Sequence, residues 1–224
     1  MNKLDFIITS DGTHTLFHPT LNETSHSING ARQESEHVYI KNGYHLFEET
    51  QDLTILEVGF GTGLNLWLTL LEFLKKNNSR KIHYTTLELY PLDKQIINEL
   101  NYINSETEKN KNLFQLIHSV PWEQEIEVLP NFVIEKKAIS IHEFISTQKF
   151  NLIYFDAFAP DKQSDMWEKS VFDKLYSYLI NGVLSTYCAK GSVKRLLKEV
   201  GFDIQSIPGP PGKFQMTLAW NRQI

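Results

Sequence analysis

A single cysteine, Cys188, stands in 224 residues. That excludes an intrachain disulfide framework and a cysteine-rich zinc site. The eight histidines show no zinc-type spacing, so no metal is expected. Long apolar runs are missing too: the stretch from Leu64 to Leu74 is broken by Asn65, Thr69 and Glu72 and is too short to cross a bilayer. Met1 to Ser10 carries no basic segment followed by an apolar run, so no secretory signal is expected. These shortages predict a soluble protein of a reducing cytoplasm with no membrane partner. Internal repeats and low-complexity linkers are also absent, and the length suits one domain with a short N-terminal elaboration.

What is present is ordinary for a folded chain, 41% hydrophobic and 22% charged. The net charge of −5 argues against a simple polyanion coat. From Cys188 onward, however, Lys190, Lys194, Arg195, Lys198, Lys213 and Arg222 face only Glu199 and Asp203. A basic end on an acidic body is either a phosphate-facing surface or a solvated helix face.

Residues 1–50, rich in Ser, Thr, Asn and His, read as short strands and loops followed by a helix near 30–41 that packs on the remainder. From residue 51 to 224, short apolar runs alternate with amphipathic stretches, the pattern of α/β units. Strands are expected at Thr54–Val58, His83–Glu88, Phe132–Ile139, Leu152–Phe155 and Val183–Tyr187, and helices beginning near Gly63, Leu92, Ile141, Ser170 and Ser192. Asn181-Gly182 reads as a helix stop. Val193, Leu196, Leu197 and Val200 share one helical face, which turns Lys194, Arg195 and Lys198 elsewhere. Phe202–Trp220 reads as two strands joined by the stiff Pro208-Gly209-Pro210-Pro211-Gly212 turn.

The run from Ile55 through Glu57, Val58, Gly59, Phe60, Gly61 and Thr62 to Gly63 is a buried strand entering a glycine-rich turn and a helix. Glycine there permits positive φ and close approach of a ligand, and the helix beyond offers unpaired N–H groups. Gly59 and Gly61 fit the first two positions of the dinucleotide fingerprint, but Leu64 occupies the third. No Gly-Lys-Ser/Thr follows, so the P-loop pattern fails as well. The mismatch favours a nucleoside without a pyrophosphate. Glu88, at the end of the next strand, is placed to accept both ribose hydroxyls; Glu57 either contributes or braces the loop. Asp156 follows a further strand, Leu152–Phe155, at the end where open parallel sheets bind ligands.

The E-x-G-x-G-x-G run resembles the S-adenosylmethionine-dependent methyltransferase motif, which implies a Rossmann-like class I fold. It implies a mostly parallel seven-stranded sheet with an antiparallel C-terminal strand, and a cofactor site at Glu57, Gly59, Phe60, Gly61, Gly63, Glu88 and Asp156. Where such enzymes often carry Asp beside the adenine, this chain has Ser140. More narrowly, Asp156-Ala157-Phe158-Ala159-Pro160, Lys162 and Asp165-Met166-Trp167 resemble the D-A-F-A/S-P-x-K-x-P-x-M/L-W signature of MnmC-type tRNA methyltransferases. Gln163-Ser164 departs from the usual Asn/Gln-Pro. The resemblance extends to Asp11–Leu16, His26-Ser27, Gly30-Ala31, Glu34-Ser35, Thr186–Gly191 and Pro208–Lys213.

That family converts the 5-aminomethyl group of a (2-thio)uridine at the tRNA wobble position to 5-methylaminomethyl. The resemblance implies tRNA as partner and Asp156, Phe158 and Glu34 as the catalytic group. Trp167, Tyr187, Lys190, Lys194, Arg195, Lys198 and Lys213 would face substrate or RNA; packing under its loop is the alternative for Trp167, and a plain helix position the alternative for Glu34. The length matches the stand-alone form, so a separate enzyme is expected to install the aminomethyl or carboxymethylaminomethyl group. An amine of pKa ~8 facing an ordinary carboxylate of pKa ~4 would transfer its proton uphill by roughly 5–6 kcal/mol. Orientation and charge attraction are therefore the expected duties of Asp156. Three other readings share the pattern: an aminopropyltransferase acting on small amines, an N-methyltransferase of another small molecule or a protein, and a silent RNA-binding relative of the methyltransferases.

Overall fold

The computed structural model describes residues 4–75 and 80–222; Met1–Lys3, part of the stretch inspected for a secretory signal, lie outside it. The apolar runs become a central sheet: β4 (Leu53–Val58), β5 (Ile82–Leu87), β7 (Phe132–Lys137), β8 (Phe150–Phe155) and β9 (Leu179–Thr186) pair in parallel. Strands covered on both faces need continuous apolar sequence, and β4 and β8 are buried almost throughout. β11 (Gln215–Asn221) adds antiparallel to β9, and β10 (Asp203–Pro208) closes the edge antiparallel to β11. The Pro-Gly-Pro-Pro-Gly segment joins the last two strands, as its stiffness predicts.

The sheet has eight strands rather than seven, in the order β10-β11-β9-β8-β4-β5-β7-β6. The additional one, β6 (Glu125–Leu129), pairs antiparallel with β7. Its alternating Glu125-Ile126-Glu127-Val128 is the charged sequence of an exposed edge, which hides it from a search for apolar runs.

Helices cover both faces. On one lie α2 (Leu64–Lys75) and α4 (Glu108–Ser119); Trp67 meets Phe114 edge-on at 5.5 Å. On the other lie α5 (Lys169–Tyr178) and α6 (Gly191–Val200), where Tyr176 meets Phe202 at 4.9 Å. Short α3 (Lys94–Glu99) follows β5. α2 is buried on nearly every side because the N-terminal α1 (Ala31–Ser35), continuing as a wide π turn over Glu36–Lys41, closes over it.

Two local expectations fail. The helix expected from Ile141 stops after one turn, with Ser140 O accepting from Glu143 and Phe144. The Lys174 ammonium from α5 then donates to the carbonyls of Ile141, His142 and Phe144. A cation thereby satisfies groups that a second helical turn would have paired. Asn181-Gly182 does not stop a helix either; β9 already begins at Leu179, and the pair forms an irregularity inside it. A Cβ on Gly182 would lie 1.9 Å from the Asn151 carbonyl, so glycine is required by that close approach.

A second sheet of β1 (Asp5–Ile8), β2 (His14–His18) and β3 (Glu23–Thr24) lies over the loops that leave β4 and β8. The Tyr102 hydroxyl bridges the His14 carbonyl and Thr62, Lys162 donates to the Asn22 carbonyl, and His18 packs edge-on to Phe158 at 4.8 Å. The N-terminal segment thus roofs the C-terminal ends of the parallel strands.

Candidate active site

After β4 the chain turns through Gly59-Phe60-Gly61-Thr62-Gly63, and the three glycines have φ of 96°, 49° and 73°. Side chains with a Cβ rarely adopt that region. Gly59 and Phe60 donate their N–H groups to the Leu87 carbonyl, at 3.0 and 3.1 Å, which ties the turn to the end of β5. A Cβ on Gly59 would meet the Asp156 carbonyl at 2.6 Å, whereas one on Gly61 would meet nothing within 4 Å. The turn backs onto protein at its first glycine and faces open space at its second. Half-buried Glu88 borders that space: its carboxylate accepts from Gly61 N–H and from Tyr90 N–H, each at 2.9 Å.

Asp156 stands immediately beyond β8, its N–H donating to the Val58 carbonyl at 3.0 Å. Parallel pairing of β4 with β8 thus sets the carboxylate beside the glycine turn. Asn65 Nδ2 donates to Asp156 Oδ2 at 2.8 Å, and the buried Tyr39 hydroxyl beside them donates to the Phe155 carbonyl at 3.3 Å. Burial pushes the Asp156 carboxyl up to about 6; the neighbouring Tyr39 hydroxyl and the Asn65 amide favour the ion and oppose that shift, nearby Glu34 adds to the rise and Lys213 opposes it. Neither Tyr39 nor Asn65 was among the expected site residues. Asn65 had a signal, since an amide inside the apolar run Leu64–Leu68 must find a partner. Tyr39 had none, being set by the packing of the N-terminal segment.

Glu34, Tyr187 and Lys213 come from three distant parts of the chain and meet here. Buried Glu34 accepts from Ser27 N–H at 2.7 Å and from the Lys213 ammonium at 2.5 Å. The same ammonium lies 3.7 Å from the centre of the Tyr187 ring, a cation–π contact. Tyr187 is held by its hydroxyl donating to Ala157 O at 2.9 Å. His26, pushed down to about 4 by burial, stays neutral nearby, and Glu34 is among the charges acting on it. The result is a cluster of carboxylates and an aromatic ring gathered around one primary ammonium.

Other expected residues fall elsewhere. Glu57 is fully buried beneath the turn, where Thr86 Oγ1 donates to it at 2.7 Å; burial pushes its carboxyl up to about 8, so it is a neutral brace out of a ligand's reach. The Phe60 ring turns into the core, 5.9 Å from Trp122 and 5.6 Å from His118, and only its backbone borders the turn. Ser140 Oγ accepts from His142 N–H at 3.2 Å and caps the aborted turn after β7. Trp167 packs under the loop beyond Asp156, its Nε1 donating to Phe158 O at 2.7 Å and its ring against Phe155; it presents no face for a base.

The basic cluster divides. Lys213 pairs with Glu34, Lys190 pairs with Asp161, and Lys194 donates to Gln215 Oε1 at 3.0 Å. Arg195 and Lys198 are exposed with no ion pair among the described residues. Sequence spacing offers no metal set, yet the sheet gathers His83, Glu125 and Glu135 near its far edge with ligand atoms within 4.8 Å of one another. Lys137, 2.6 Å from Glu135, already supplies a cation there. No helix among the described residues is long and apolar enough to cross a membrane.

A glycine turn between β4 and α2, with a carboxylate ending each of two neighbouring strands, is the layout of a Rossmann-like class I methyltransferase. Residues 105–222 match the family model described as S-adenosyl-L-methionine-dependent methyltransferase, and the chain belongs to that family. It is 30% identical over 197 residues to the Leptospira interrogans tRNA 5-methylaminomethyl-2-thiouridine biosynthesis bifunctional protein MnmC, covering 83% of this chain and 30% of that protein. The chain thus spans about a third of the length of the curated relatives it matches.

Among solved structures, MNMC2 from Aquifex aeolicus superposes over 100% of this chain and 72% of its own, with a TM-score of 0.82 and 21% identity. Spermidine synthase from Thermotoga maritima follows the same fold more loosely, with a TM-score of 0.51 and 14% identity over 100% of this chain and 74% of its own. These two likenesses speak to fold alone.

Proposed function

We propose that the chain N-methylates the aminomethyl group of a 5-aminomethyl-(2-thio)uridine at the wobble position of tRNA, yielding 5-methylaminomethyl-(2-thio)uridine. The carrying observation is the cluster beside Asp156: Glu34 and the Tyr187 ring already hold one primary ammonium, that of Lys213, so the chemistry there suits an aminomethyl head group. The printed role of the bifunctional relatives in 5-methylaminomethyl-2-thiouridine biosynthesis supports the same reading. In it, residues 51–224 are the methyltransferase domain, residues 1–50 its roof, and a separate enzyme supplies the aminomethyl group.

The open space over Gly61, bounded by Glu88, fits a nucleoside cofactor. Gly59, Gly61 and Gly63 would border its amino-acid part and Glu88 its ribose. When bound, S-adenosylmethionine supplies an electrophilic methyl group on a sulfonium sulfur.

Asp156 does the rest of the work on the acceptor. With its carboxyl pushed up to about 6, it is mostly ionised at pH 7 and attracts the ammonium. The gap to an amine of pKa ~8 shrinks to two units, so proton transfer to Asp156 is uphill by only about 3 kcal/mol. That is half the figure for an ordinary carboxylate. Asp156 thereby orients the amine, exposes its lone pair, and passes the proton to water. The Asn65 amide holds the carboxylate in place, the Tyr39 hydroxyl packs beside it, and Glu34 with Lys213 sets the charge behind it.

The test is methyl transfer to an anticodon stem–loop RNA carrying 5-aminomethyluridine, read by mass analysis of the nucleoside. Gain of one methyl on the side-chain nitrogen is the expected result. Methylation at ring or ribose, or none while putrescine accepts an aminopropyl group from decarboxylated S-adenosylmethionine, would overturn the proposal.

A further inference from the structure

One aromatic side chain next to the Lys213–Glu34 cluster has no role in the fold. Phe214 follows Lys213 directly and is 93% exposed. Its backbone is nonetheless ordered: Phe214 O accepts from Gly209 N–H at 3.2 Å, and Lys213 N–H donates to Pro210 O at 2.9 Å. The hairpin tip is also anchored to the roof, since His37 Nε2 lies 2.9 Å from the Pro208 carbonyl and Gly212 abuts the Asn29 side chain. Ile28, beside Asn29, is 59% exposed on the same rim. While Lys213 turns inward to Glu34, the next residue holds a phenyl ring out to solvent on a rigid arm.

The neighbouring charges say what such a ring faces. Lys194 of α6 reaches Gln215, the residue after Phe214, so the helix and the hairpin tip adjoin. Arg195 and Lys198 continue along α6 exposed and without an ion pair among the described residues. A solvent-facing ring beside unneutralised cations matches single-stranded nucleic acid, whose bases stack on aromatic faces while its phosphates seek Lys and Arg. An apolar protein partner would leave those cations facing nothing.

We propose that Phe214 is a stacking platform for the nucleotide adjacent to the acceptor uridine, with Lys194, Arg195 and Lys198 flanking the phosphates. The inference rests on the RNA reading above and adds the specificity device: a ring one residue from Lys213 lets the enzyme hold a splayed loop base beside the one it modifies. Because the ring buries nothing, Phe214→Ala should leave the melting temperature unchanged.

The experiment measures binding and methyl transfer separately, with the full chain. Fluorescence anisotropy is read on a labelled anticodon stem–loop, with intact bases or with abasic sites flanking the wobble uridine. Phe214→Ala should weaken binding to intact RNA about tenfold, as loss of one stacked base implies, and raise its KM alike; Phe214→Trp should restore both. On abasic RNA the wild type and Phe214→Ala should coincide. Equal affinity of wild type and Phe214→Ala for intact RNA, or an equal loss on abasic RNA, overturns the platform even if methylation proceeds. Conversely, Phe214-dependent binding without methylation of 5-aminomethyluridine sustains the platform and removes the proposed reaction.

Discussion

The two halves of the proposed site are built in different ways. The proposed cofactor half is backbone: three alternating glycines, a helix start and one carboxylate at the end of the adjacent strand, all within residues 59–88. The proposed acceptor half is side chains: Glu34, Tyr39, Asn65, Asp156, Tyr187 and Lys213, drawn from nearly the whole length of the chain. The first is tied down by local hydrogen bonds and needs only its own segment in register. The second exists only when the roof, the β8 loop and the last hairpin are all in place. Damage should therefore separate cleanly into lost cofactor affinity on one side and lost acceptor handling on the other.

The largest effect should come from Asp156→Asn, which keeps the shape and removes the charge. Turnover should fall ~10³-fold, while calorimetry shows cofactor affinity within a few-fold of wild type. In the wild type, kcat/KM should rise with pH through about 6 as Asp156 ionises. Lys213 opposes the elevation of that carboxyl, so Lys213→Met should move the inflection upward. A profile flat from pH 5 to 7 would remove Asp156 from the chemistry.

Next comes Lys213→Ala, which strands buried Glu34 without its cation. Breaking a fully buried pair costs about 3–5 kcal/mol, and the Lys213 side chain is 30% exposed, so a loss of about 2 kcal/mol is expected after discounting for solvent. For a chain of this size that lowers the melting temperature by about 4–8 °C. Acceptor KM should rise with cofactor affinity intact. An unchanged melting temperature would show that the hairpin is not clamped to the roof.

Gly61→Ala probes the other half. No atom lies within 4 Å of the added Cβ, but φ is 49°, so the fold should lose only about 1 kcal/mol. The methyl projects where the cofactor is expected, and Kd should rise about tenfold or more. Unaltered affinity would place the nucleoside elsewhere.

The smallest effect on turnover belongs to Glu57. Its carboxyl is raised in the fold from 4.5 to about 8, so its contribution is fully present below the unfolded value and is lost as pH rises through 8. Glu57→Gln, always neutral, should be more stable than wild type by roughly 4 kcal/mol at pH 9 and differ little at pH 5. Thermal melts at the two pH values check the sign.

Much of the cofactor half was legible in advance because its chemistry is contiguous: a glycine spacing, a strand before it and an acid at the next strand's end. Asp156 was legible for the same reason, since a strand tip is a local feature. The errors lie where sequence neighbours do not decide. Phe60 and Glu57 sit within the motif but point into the core: the strand's pleat turns Glu57 inward, and His118 and Trp122 take up the Phe60 ring beyond it. Trp167 belongs to the family signature yet supports the loop from below. The turn at Ile141 looked helical until Lys174 from α5 capped its carbonyls, and β6 was invisible because an edge strand carries charge where a central one carries valine.

From sequence alone came the class of fold, the glycine turn and the acid that follows β8, all of which follow from short-range periodicity and the steric freedom of glycine. Tertiary structure decided which face each of those residues shows, how far burial lifts Asp156, and that Lys213 leaves the basic cluster to meet Glu34 over the Tyr187 ring. Desolvation and ion pairing depend on what lies across space, and no spacing along the chain encodes that distance.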